Sequence, residues 1–243
     1  MEVRFLSDLL RRGRLHSQRS RGEDCLATGF PELDDELNGG WPRAGLGELL
    51  CAASGIGELR LLAPALKQLS ESENRWIVWI NPPHVPYAPA LERLGVDLGK
   101  VLLVFPKDHR EALWAFEQTL ATASCCAALG WLSESRLRFA DIRRLQLAAR
   151  KGGAWATLFR PASAAGHASP AELRIEATSL PSPPASRLRL DIRKRRSGWP
   201  VEGIEVELDA LLSPGSQRRR NLCPGSAKRA TQASPLRVCD PTW

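Results

Sequence analysis

The sequence predicts an α/β fold, a mostly parallel central sheet flanked by helices and finished by an antiparallel hairpin at one edge. Three observations predict it. Short apolar runs alternate with helix-length amphipathic runs from Gly47 to Phe159, the pattern of strand–helix–strand crossovers that build parallel sheets. One of these runs, Arg75-Trp-Ile-Val-Trp-Ile-Asn81, is apolar enough for a strand covered on both faces. Two later runs, residues 188–192 and 204–208, alternate apolar and polar positions, as paired strands at a half-exposed edge do.

The elements follow in chain order. Val3, Leu6, Leu9 and Leu10 recur at helical spacing before Gly13, which predicts a short amphipathic helix over residues 2–12. Residues 13–24 are polar, rich in Arg and Ser, and read as a linker. A turn and a short helix with Leu33 and Leu37 inward follow, broken by Asn38-Gly-Gly-Trp-Pro42. Strands are expected at 47–52, 75–81, 101–105, 125–129 and 154–159. Helices are expected at 59–70, 89–94, 109–122 and 139–150. From Ser213 onward Pro, Gly, Ser and basic residues predict a segment without fixed structure. The organisation expected is therefore residues 1–24 as helix and linker, 25–210 as the core domain, and 211–243 as a basic tail.

A chain of 243 residues, 43% hydrophobic and 25% charged, can bury one sizeable core. It holds no apolar run of bilayer length, and its first residues lack the order of a secretory signal, so a cytoplasmic location is expected. The six cysteines form no C-x-x-C pair and have no histidine at ligand spacing, so no metal site is expected. Cys125 and Cys126, in an apolar run, read as small buried residues. The net charge of +7 is clustered near Arg11–Arg21, at Arg193, Lys194, Arg195 and Arg196, and at Arg218, Arg219 and Arg220. Such clusters suit a polyanion or an acidic partner, and equally suit a solvated face.

Residues Glu48–Leu62 have the shape of a phosphate loop without its chemistry. A working loop reads G-x-x-x-x-G-K-[ST], with backbone amides around the phosphates, Lys on their oxygens and a hydroxyl on Mg²⁺. Here Ala52 and Gly57 take the glycine positions, Glu58 stands where Lys is required, and Leu59 where the hydroxyl is required. A carboxylate repels polyphosphate and Leu cannot ligate a metal. No cofactor and no catalysis are expected from this loop.

Several segments, in order, resemble the RecA recombinase core. They are Thr28–Leu49 leading into the loop, Leu91-Glu-Arg-Leu-Gly-Val-Asp-Leu-Gly-Lys-Val-Leu102, and Leu188-Arg-Leu-Asp-Ile-Arg-Lys194. The resemblance implies a RecA-like sheet. It also implies two acidic positions for hydrolysis, which fall here at Pro83 and Gly130. His84 in the Pro83–Pro86 turn reads as an exposed polar residue. A second resemblance rests on Trp76-Ile-Val-Trp-Ile80, Leu129-Gly-Trp-Leu132 and Phe159–Pro170, which look like the SulA group of cell-division inhibitors and their longer relatives, the ImuA proteins. Because the chain has a RecA-like front end and extends past the last core strand, it is identified as similar to the ImuA family. That resemblance implies a non-catalytic adaptor in damage-induced translesion synthesis, with ImuB, a DnaE-type error-prone polymerase and RecA as partners.

Three readings stand on the sequence. In the adaptor reading, Leu6, Leu9 and Leu10 dock on a partner or a second copy. The tail, ending at Trp243, orders on ImuB or DNA. Arg193–Arg196 beside Trp199 touch a single strand. The bland alternatives are a helix packed on its own core and a solvated hairpin turn. In the second reading, the chain is a SulA-like inhibitor of the tubulin-like FtsZ, with apolar residues near Trp131–Phe139 as the contact. In the third, the loop still binds ATP through its amides, against the charge of Glu58.

Overall fold

A computed structural model of the chain describes residues 25–181, 186–209 and 237–239. Two short strands, β1 (Cys25–Leu26) and β2 (Trp41–Pro42), pair antiparallel around helix α1 (Pro31–Glu36). Then follow β3 (Gly45–Cys51), α2 (Glu58–Ser72), β4 (Trp76–Ile80), α3 (Ala88–Arg93), β5 (Val101–Val104), α4 (His109–Ala121), β6 (Cys125–Trp131), α5 (Phe139–Gly152) and β7 (Trp155–Pro161). The chain continues through β8 (Leu173–Leu180), β9 (Arg187–Lys194) and β10 (Val201–Glu207), and a last strand, β11, covers Arg237–Cys239.

Among the described residues nine strands form one mixed sheet in the order β10-β9-β8-β3-β7-β6-β4-β5-β11. Strands β8, β3, β7, β6, β4, β5 and β11 run parallel to one another, whereas β9 is antiparallel to both β8 and β10. The central strands read as unbroken apolar runs because helices cover both faces. On one face α1, α2 and α3 pack Leu33, Leu61, Leu66 and Leu91 against Leu49, Trp79 and Leu129. On the other, α4 and α5 pack Phe116, Leu120, Ile142 and Leu145 against Leu46, Val78 and Ala128.

Local chemistry sets the helix ends. Asp108 caps α4 by accepting the Glu111 amide at 2.8 Å. Gly153, with φ of 64°, closes α5 in the left-handed region open to glycine. The Leu33-inward helix, the parallel core and the terminal hairpin match the expected elements. Strand β8 has no counterpart among the expected strands, and the edge hairpin is in fact the outer part of a three-stranded antiparallel extension. Strand β6 runs on to Trp131 rather than stopping at Leu129. The tail expected to lack structure contributes β11. The helix expected over residues 2–12, with Leu6, Leu9 and Leu10, lies outside the described residues, as do Arg218, Arg219, Arg220 and Trp243.

Candidate functional site

Ligands of open parallel sheets gather where the strands end at their carboxyl side. Here that rim carries the loop 52–57 after β3, the loop 81–87 after β4, and the loop 132–138 after β6.

In the first loop, Ala52 is exposed and Leu59 packs partly into the core. Glu58, the first residue of α2, is buried and turns back onto its own loop. Its Oε1 accepts the Gly55 amide at 2.8 Å and its Oε2 accepts the Gly57 amide at 3.0 Å. A carboxylate therefore sits on the amides at the helix start, where the macrodipole favours a negative charge. Gly57 has φ of 108°, and a Cβ there would overlap Leu208, which follows β10. Arg60 of α2 pairs with Asp209, whose Oδ2 accepts the Ser186 amide at 2.7 Å. The end of the hairpin is thus clasped over the start of α2. Beneath the loop, burial and then the charge of Glu58 push the Cys51 thiol up to about 12.

The two other positions expected to be acidic in a working site are also accounted for. Pro83 is exposed in the loop after β4. At Gly130 a Cβ would overlap the Phe116 ring, so α4 packs directly on the backbone of β6 and leaves no room for a carboxylate.

The second and third loops meet. Asn81, with φ of 54°, donates from Nδ2 to the Trp131 carbonyl at 3.1 Å, tying the end of β4 to the end of β6. Trp131 stacks on Phe159 with ring centroids 4.3 Å apart and tilts against Trp79 at 5.9 Å. Trp131 is consequently half-buried scaffold, a correction to its expected place on an exposed contact. What the scaffold presents outward is Val85 (65% exposed), Tyr87 (68%) and Phe139 (51%). Phe139 lay inside the expected contact stretch. Val85 and Tyr87 were missed, although apolar residues in a proline-punctuated loop after a buried strand were the available signal.

A buried ionic network holds the rim from below. Glu48 of β3 accepts from Arg160 at 2.8 Å, from Arg174 at 2.6 Å and from Ser169 at 2.5 Å. Arg160 also reaches Glu134 in the third loop at 2.6 and 2.9 Å, and Arg174 donates to the Ala164 carbonyl at 2.8 Å. The Arg160 hydrogen bonds hold the Glu134 carboxyl below its ordinary range.

The basic cluster of the hairpin is mostly engaged. Arg193 pairs with Glu176 and Glu202, Lys194 donates to the Ser169 carbonyl at 2.9 Å, and Arg195 binds Glu36 and the Trp199 carbonyl. Arg196 and the Trp199 ring, 85% exposed, remain open to solvent. The structure thus spends on ion pairs most of the charge that had suggested a strand of DNA. No group of His, Cys, Asp and Glu among the described residues is arranged to hold a metal ion. No described helix is long and apolar enough to cross a membrane.

Residues 52–156 match the family model described as "Cell division inhibitor SulA". That span runs from the first rim loop to the start of β7 and includes Val85, Tyr87 and Phe139. Residues 52–156 are thus similar to the SulA family. A protein named "Cell division inhibitor SulA" from Edwardsiella piscicida is 37% identical over 101 residues, covering 42% of this chain and 58% of that protein. Its namesake from Yersinia pestis (strain Pestoides F) is 34% identical over 102 residues, covering 42% and 59%. A solved structure, SulA from Pseudomonas aeruginosa, is 31% identical, covering 47% of this chain and 97% of that one, with a TM-score of 0.40. The chain spans under two thirds of the length of the two curated relatives.

These matches correct the expected role. The adaptor for ImuB and an error-prone polymerase rested on a front end before the loop, and the matched span begins at residue 52, within the loop itself. The relatives found are named as division inhibitors.

Proposed function

We propose that this chain is a cell-division inhibitor of the SulA type, acting by contact on FtsZ in the cytoplasm. The observation that carries the reading is the SulA match over residues 52–156. The geometry favours a contact mechanism. Val85 and Tyr87 from the loop after β4 and Phe139 at the start of α5 stand at one end of the sheet. The Asn81–Trp131 hydrogen bond fixes the two loops relative to one another. Aromatic residues held on a rigid base lose little entropy on docking and suit the centre of an interface.

Within this reading the β3–α2 loop is a phosphate loop of RecA-like descent whose anion position is taken by the chain's own carboxylate. The amides of Gly55 and Gly57 on Glu58 support it. The loop then serves as structure, and no nucleotide turnover is required.

The test is overproduction in a rod-shaped bacterium together with sedimentation of purified FtsZ polymers. Filamentous cells and a stoichiometric loss of sedimentable FtsZ are expected. Cells of normal length, with FtsZ polymers unaffected by excess protein, would refute the proposal.

A further inference from the structure

The amino ends of the parallel strands lie at the end of the sheet opposite the rim. There β8 begins beside β3, with Leu173 opposite Gly47, and β9 ends beside β8, with Lys194 opposite Arg174. Between this corner and the turn that follows α1 the chain forms a cavity of about 280 Å³. Leu37, Pro42 and Leu173 give it apolar walls, and Asn38, Arg196 and Ser197 line it beside them. Every residue that lines it lies outside residues 52–156, the stretch on which the division-inhibitor reading rests.

The walls are fixed in advance. Asn38, Gly39 and Gly40 turn successively through positive φ of 57°, 121° and 123°, and a Cβ at Gly40 would stand 2.2 Å from the Leu26 carbonyl oxygen. The turn is thus pressed against β1 in a conformation and at a distance that glycine allows. Arg195 donates to the Glu36 carbonyl, to the Glu36 Oε2 at 3.1 Å and to the Trp199 carbonyl at 2.9 Å. One guanidinium thereby locks the β9–β10 turn onto α1. A cavity held open in this way loses little entropy when a ligand enters.

Charge decides what suits it. Arg193, Lys194 and Arg195 are engaged as described above, and the Glu172 carboxylate, at the same cavity, is held by Gln146 at 2.9 Å and Arg150 at 2.7 Å. Among the described residues Arg196 alone of this cluster has no hydrogen-bond or ion partner, and it is exposed. One uncompensated guanidinium beside apolar walls matches a ligand with a single negative charge and an apolar body. A nucleic-acid strand draws its affinity from several cations on successive phosphates, and the cluster offers one. A carboxylate meets a guanidinium through two parallel hydrogen bonds. The volume falls just below the roughly 300 Å³ at which sites for drug-sized molecules begin, so the body is on the scale of one ring.

We propose that this cavity is a binding site for a compact apolar monocarboxylate, with its acid group on Arg196 and its body against Leu37, Pro42 and Leu173. The site is independent of the division-inhibitor reading.

The experiment follows the backbone amides of the ¹⁵N-labelled full chain by NMR as 3-phenylpropanoate or 4-methylpentanoate is added. Saturable shifts at residues 37–40 and 196–197 are expected for at least one acid, with a Kd of about 1 mM or below. The amides of residues 52–57, at the other end of the sheet, should stay in place. The neutral analogues 3-phenylpropanamide and 4-methylpentanamide should bind at least about tenfold more weakly, and so should either acid to the Arg196→Gln protein. Arg196 is exposed, so an unchanged urea midpoint in that variant shows that the weakening is local. No saturable shift at the cavity with either acid, equal affinity for acid and amide, or equal affinity of parent and Arg196→Gln protein would each overturn the proposal.

Discussion

The Arg160 guanidinium lies between two carboxylates, Glu48 of β3 at 2.8 Å and Glu134 of the rim loop at 2.6 Å, with its own side chain only 3% exposed. One cation thereby joins the centre of the sheet to a surface loop. Removing it leaves Glu48, whose side chain has no exposure, with Arg174 as its remaining charged partner.

Arg160→Ala is therefore expected to cost about 3 kcal/mol, the range for breaking a buried ion pair from one side. Urea denaturation checks it, and a change below about 1 kcal/mol would show that Arg174 and Ser169 satisfy Glu48 unaided.

The same contact sets a pH dependence. The hydrogen bonds from Arg160 lower the Glu134 pKa below its ordinary 4.5. A depressed carboxylate contributes stability above its unfolded pKa and loses it as pH falls through the folded value. Thermal midpoints should decline as pH drops below about 4.5, and Glu134→Gln should flatten part of that decline. Identical pH profiles for the two proteins would remove Glu134 from the account.

Glu58→Ala frees two loop amides and is expected to destabilise by about 1–2 kcal/mol, as loss of a helix-start acceptor does. It also removes the charge that adds to burial in raising the Cys51 thiol. Cys51 should react faster with a disulfide reagent at pH 8 in the variant than in the parent. Cys125, held at about 12 by burial, should stay unreactive in both until unfolding. Equal Cys51 rates would mean that burial alone protects it.

Gly130→Ala drives a methyl group into the Phe116 ring at the base of α4. A loss of about 2–3 kcal/mol is expected, the usual cost of overpacking. Restoring an acid there with Asp should be worse still, since the carboxylate would also be buried. Calorimetric melting measures both.

Tyr87→Ala with Phe139→Ala changes surface residues, so stability should move by less than about 1 kcal/mol while division inhibition falls at least tenfold. Full inhibition by a folded double variant would place the contact elsewhere on the chain.

The alternating pattern made most of the sheet legible, because covering helices leave parallel strands apolar throughout. Strand β8 escaped for a specific reason. Arg174 interrupts its apolar run, and the Glu48 that neutralises it lies 126 residues earlier. A charge that is buried through a distant partner looks, in sequence, like a charge in solvent. Glu58 shows the converse. Its sign identified a position unsuited to phosphate, but that its carboxylate occupies the amides of Gly55 and Gly57 depends on a backbone turn no single residue announces. Of the exposed apolar residues at the rim, only Phe139 was legible. Trp131 was drawn inward by Phe159, a pairing across strands that adjacency in sequence does not reveal.

Leu208 rests where a side chain at Gly57 would otherwise stand, so a residue well downstream of the inhibitor-like stretch lies over the loop that opens that stretch. The shared portion is accordingly not a free-standing body in this chain. Excised alone, residues 52–156 would surrender the packing that Leu49, Leu188 and Ile192 supply to one side of the sheet. The stretch that resembles the inhibitors is here built into a larger sheet, with neighbours on both sides of it in sequence sharing its core.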